Sequence, residues 1–159
     1  MTVTEQTHTG VIAQADLAAL SGVAFFEAVR DGRLPHPPLT SLIPMQVIEV
    51  DEGRMAWATR PPERFVNPMG QVHGGYAMTV LDSALGCAVH SALPAGRGYT
   101  TIEAKVNMTR PIPMDGTVLR AEGWLVTLGG RVATSEAKLT DARGRVLAFG
   151  TSTCLVFDI

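Results

Sequence analysis

The chain has 159 residues, enough for one domain with its own core. Hydrophobic residues make up 46% and charged residues only 18%, below the roughly one quarter usual in soluble domains, so partner subunits are expected to cover part of the surface. A formal net charge of −2, with no basic strip interleaved with aromatics, excludes nucleic acid as an expected partner.

Residues 1–10, MTVTEQTHTG, lack a basic stretch leading into an apolar one, and no later run reaches the roughly 18 apolar residues of a membrane span. A cytoplasmic protein without membrane contact is expected. Residues 11–30 place Leu17, Leu20, Phe25 and Val29 at helical intervals, which predicts one amphipathic helix with Gly22 as the place for a break. Gly32 and three prolines in DGRLPHPPL then stop the helix and favour an extended strap. Residues 1–40 therefore read as a helix and proline-rich extension, and 41–159 as the main domain.

MQVIEVDEGRMAWATR predicts a hairpin turning at Asp51–Gly53, and residues 74 to 92 predict one long helix. Four strands follow, separated at short turns that include Gly129–Gly130 and Asp141–Gly144. The order is α+β without βαβ units. A helix apolar on most sides needs a wrapper, and a curved antiparallel sheet of five or six strands around it is the simplest one.

Residues 67–86, NPMGQVHGGYAMTVLDSALG, carry the chemistry. Gly74 and Gly75 fall in the first turn of the long helix, where backbone N–H groups lack intrahelical partners and the macrodipole is positive. A carbonyl oxygen can approach there without meeting a Cβ, and an oxyanion would be stabilised. Asp82 lies eight residues on, about 12 Å along the axis, too far for both groups of one chain to act on one carbonyl carbon. A two-fold dimer with antiparallel helices brings Asp82 of one copy to Gly74 of the other. Gly75, Thr79, Asp82, Ser83, Gly86 and His90 form a stripe of small or polar residues that permits such an approach. Each feature alone has a bland explanation in turn chemistry or a solvated acid. Their combination, with Asp82 in a helix short of polar surface, points to function.

This segment closely resembles the signature of the hotdog-fold acyl-CoA thioesterases of the phenylacetate-degradation type, with an aspartate nine residues after the His of His-Gly-Gly. The resemblance covers residues 43 to 157 and implies a hotdog fold and hydrolysis of small to medium acyl-CoA thioesters, aryl or phenylacetyl among them. It implies that Gly74 donates its N–H to the thioester oxygen and that Asn67 helps to polarise or position that carbonyl. Asp82 of the neighbouring subunit attacks or activates water, and His73 holds the loop near the departing thiol. A hydroxyl on the next strand steadies the water, with Thr101 favoured over Thr100. Coenzyme A enters as part of the substrate, not as a cofactor, and a homodimer, or a dimer of dimers, is implied.

Among basic residues that could meet the CoA phosphates, Arg110 and Arg131 are favoured over Arg97 and Lys105. No metal site is expected, since the histidines lack paired spacing with Asp, Glu or Cys. Cys87 and Cys154 read as buried and reduced, His8 and His36 as surface residues, His90 as a helix-end residue, and Trp57 and Trp124 as sheet packing. A hotdog enoyl-CoA hydratase needs an Asp–His pair five residues apart, but the residue five past Asp82 is Cys87. A non-catalytic acyl-CoA-binding module would lack the acid that is present here.

Overall fold

The computed structural model describes residues 3, 6 and 8–159; the rest of the expected N-terminal extension, residues 1, 2, 4, 5 and 7, lies outside the described residues. Six strands form one antiparallel sheet: β1 (Met45–Asp51), β2 (Arg54–Thr59), β3 (Arg97–Met108), β4 (Leu119–Leu128), β5 (Val132–Thr140) and β6 (Val146–Asp158). Their order across the sheet is β1-β2-β4-β5-β6-β3, so β3 stands at one edge. The long helix α3 (Gly74–Ser91) lies against the sheet, as the sequence predicts to within one residue. This is the α+β hotdog architecture.

Small residues let the helix sit close. Ala121, Ala133, Ala137 and Ala148 are buried on the strands, and a Cβ added to Gly123 would collide with the carbonyl of Ala84. Larger side chains fill the flanks of the contact: Leu81 and Leu85 of α3 pack with Met55, Trp57, Leu119, Leu139 and Leu147. Burying such side chains contributes about 1.5–3 kcal/mol each. Trp57 is core, whereas Trp124 is only partly buried, with the Lys138 ammonium over its ring at 5.2 Å.

The N-terminal helix expected over 11–30, with Gly22 as the place for a break, is two helices that divide there, α1 (Gln14–Ala19) and α2 (Gly22–Arg30). The break falls at Ser21, whose hydroxyl caps α2 by accepting from the Ala24 N–H at 3.4 Å. Phe25 and Phe26 of α2 each lie 5.1 Å from the ring of His90 on α3. His90 is therefore no simple helix-end residue: it is 8% exposed, and burial lowers its pKa to about 4. His36 is also buried, contrary to the surface position expected of it. Its backbone pairs with residues 8 and 10 through two 2.9 Å bonds, which lays the chain over the strap.

Candidate active site

The turn before α3 is tied by Asn67. Its Oδ1 accepts from the N–H groups of Met69 (2.9 Å) and Gln71 (3.1 Å), while its backbone N–H donates to Gln71 O. The side-chain amide N–H2 is left over as a donor. His73 is the N-cap: its Nδ1 accepts from Gly75 N–H at 2.9 Å, and its carbonyl accepts from Tyr76 N–H at 3.0 Å. With Nδ1 accepting, the neutral ring carries its proton on Nε2. Among the described residues nothing accepts from the Gly74 N–H, a donor at the positive end of the helix.

A cavity of about 360 Å³ opens beside Gly74, lined by Gln71, Val72, Met108, Thr109, Arg110 and Ile112 among others. Arg110 is held there by its own bond to the carbonyl of Val146 at 2.7 Å. Arg131 is not at this mouth. It lines a separate cavity of about 280 Å³ with Arg97 and Asp158, at the other end of β3. Lys105 is exposed midway along β3.

Asp82 is exposed, which corrects the expectation that wrapping would leave it inside an apolar helix. The sheet ends at β3, so the Asp82 side of α3 has no further strand over it. Thr101, on β3, donates its hydroxyl to Asp82 Oδ1 at 3.1 Å, while Thr100 sits on the other face. A bulge between Thr101 and Glu103 sets this geometry. Tyr99 and Thr101 face the helix before it, and Val106 and Met108 do so after it, so the extra residue Ile102 switches the facing positions from odd to even. The sequence signal for this bulge is the change of parity of the helix-facing residues along β3, from Tyr99 and Thr101 to Val106 and Met108.

Gly74 lies against Met108 and Asp82 against Thr101, so α3 and β3 run side by side with the two site groups at separated stations. The neighbouring thiols are inert: burial pushes Cys87 up to about 12 and raises Cys154 as well. Among the described residues no cluster of His, Cys, Asp and Glu could hold a metal ion, and no helix is long and apolar enough to cross a membrane.

Residues 69–148 match the model of the thioesterase superfamily. The chain belongs to that superfamily. A relative from Halobacterium salinarum that bears the name esterase is 32% identical over 130 residues, covering 75% of this chain and 84% of the relative. In structure the superfamily member resembles a phenylacetic acid degradation-related protein of Ralstonia eutropha, with TM-score 0.75, 26% identity, and coverage of 82% of this chain and 98% of that one. A hypothetical thioesterase of Streptococcus pneumoniae solved with coenzyme A shares the fold at TM-score 0.66 and 24% identity, over 72% of this chain and 86% of the other. The matched segment of this thioesterase begins at Met69, two residues past Asn67, and takes in the whole of α3, β3 and their contact.

Proposed function

We propose that this thioesterase hydrolyses acyl-CoA thioesters to the free acid and CoA at a site completed by a second copy of the chain. The carrying observation is that the Asp82–Thr101 pair and the free Gly74 N–H share one open side of α3 yet stand about 12 Å apart along it. A two-fold axis between antiparallel copies closes that gap. Its position on the helix is Met78, halfway between Gly74 and Asp82 and 51% exposed. Its position on the strand, halfway between Thr101 and Met108, falls at Ala104 and Lys105, both exposed. The strand midpoint lies beside the helix midpoint because Thr101 touches Asp82 and Met108 approaches Gly74; that both are exposed supports an axis there, with β3 pairing to its copy along its outer edge.

In that arrangement the thioester oxygen takes the Gly74 N–H, with the Asn67 amide nearby as a second donor. The partner's Asp82 then either removes a proton from the attacking water or attacks the carbonyl carbon itself, giving an anhydride that water opens. Either way the C–S bond breaks, the thiolate leaves and takes a proton, and the Thr101 hydroxyl holds the carboxylate in place. The same operator carries the Arg97 and Arg131 end of one sheet toward Arg110 of the other, gathering charge for the CoA phosphates.

The likeness to the phenylacetic acid degradation-related protein supports small aryl or phenylacetyl groups as acyl chains. Two free, buried cysteines suit a reducing cytoplasm. We take residues 41–159 as the hotdog domain and 1–40 as its extension. A panel of acyl-CoA thioesters assayed by release of free thiol tests the reading. Turnover by the wild type, with kcat at least about a hundredfold lower in a folded Asp82→Asn, is expected; no turnover across the panel, or normal turnover in the variant, overturns it.

A further inference from the structure

The open side of α3 has an end. Met78, Thr79, Asp82 and Ser83 all reach solvent, but Gly86, one turn past Asp82, is buried. Tyr99 is what covers it. A Cβ built on Gly86 would lie 2.6 Å from both Cε2 and Oη of that ring, so only glycine admits the tyrosine here. The ring does not stand alone. It is 5.6 Å from the ring of His90, which Phe25 and Phe26 hold from the other side. Val89, Leu93, Ala133, Cys154 and Val156 form the apolar cluster against which it packs. A side chain braced by the His90 ring, itself backed by two phenylalanines, and by a core cluster is a wall, not a swinging gate.

We propose that Tyr99 is the end wall of the acyl pocket and limits this thioesterase to short-chain or single-ring acyl groups. The inference rests on the site described above, because it takes the acyl group to run past Asp82 along α3. From Asp82 to Gly86 is four residues, about 6 Å of helix, which is the depth left before the ring. The wall is chemically suited to an apolar chain end: burial keeps the phenol and the adjoining Cys87 thiol neutral. The N-terminal extension thereby acquires a role, since α2 supplies the two phenylalanines that back the wall.

Non-hydrolysable S-alkyl-CoA thioethers, from ethyl through butyl and octyl to dodecyl, separate this proposal from the hydrolytic one, because their binding needs no turnover. In the wild type, affinity should rise to a short-chain optimum and then fall. Tyr99→Ala should improve dodecyl binding relative to butyl by at least about tenfold, the gain of burying two further methylenes, and Tyr99→Phe should keep the wild-type profile. Gly86→Ala pushes the ring into the pocket and should weaken butyl binding, an opposite shift that remains decisive if Tyr99→Ala does not fold. An unchanged profile in folded Tyr99→Ala or in Gly86→Ala, or no thioether binding by the wild type, overturns the proposal. Length-dependent binding without acyl-CoA hydrolysis would overturn the hydrolytic reading and leave the wall standing.

Discussion

The Thr101 hydroxyl donates to Asp82 Oδ1 across the contact between the edge strand and the long helix, at 3.1 Å. That bond occupies one carboxylate oxygen and leaves the other free to act. A hydrogen bond to a charged group contributes about 1.5–3 kcal/mol, so its loss should cost roughly ten- to a hundredfold in kcat if orientation of the carboxylate matters in the transition state. Thr101→Val keeps the shape and removes the donor; Thr101→Ser restores it. We expect kcat to fall in the first and recover in the second, with little change in KM. A Thr101→Val enzyme that loses thermal stability but keeps kcat would assign the bond to packing alone.

The separation of Gly74 from Asp82 predicts complementation between damaged subunits. Gly74→Val blocks the carbonyl seat and Asp82→Asn removes the acid, so each homodimer should be nearly inactive. A mixed dimer holds one site built from both damaged halves and one from both intact halves. With random pairing half the dimers are mixed, and activity should return to at most about a quarter of wild type per site. Native mass spectrometry establishes that heterodimers form; heterodimers without activity would place the whole site in one chain.

Burial of His90 sets a direction for stability against pH. Its folded-state pKa of about 4 lies below the ordinary 6.5, so the unfolded chain binds the proton first. His90 contributes no pH dependence above about pH 6.5, and stability falls as pH drops from there toward 4. The loss is on the order of 2 kcal/mol by pH 5. His36, lowered chiefly by burial, acts with the same sign. Denaturant titrations at pH 7 and pH 5 should therefore differ, and His90→Phe should flatten the difference without abolishing it. An equal slope in the variant would show that the ring is not buried among Phe25, Phe26 and Tyr99.

Local signals read well in this sequence, and signals that depend on neighbouring strands did not. The long helix was legible from its apolar run and its His-Gly-Gly start, and the first hairpin from Asp51–Gly53, because both are set within a few residues. The exposure of Asp82 depends on which strand stands at the sheet edge, and strand order is a long-range property. Arg131 illustrates the same limit: its turn was correctly placed, but its distance from Gly74 follows from the sheet order rather than from the turn. The burial of His90 could not be read from α3, since the rings that enclose it come from other elements: Tyr99 on β3, and Phe25 and Phe26 far away in sequence on α2.

The open edge of β3 has a consequence for how the enzyme would behave in a cuvette. Its inner side pairs with β6, but among the described residues no strand meets the backbone donors and acceptors of its outer side, and Ile102 stands 59% exposed on it. Such an edge is a hazard for disordered association unless a defined partner occupies it. If that partner is a second copy that also completes the active site, catalysis is governed by mass action. Rate per milligram should then fall on dilution below the dissociation constant of the dimer, and a charged residue at Ile102 should move that threshold to higher protein concentration. Enzyme concentration itself would be the control on activity.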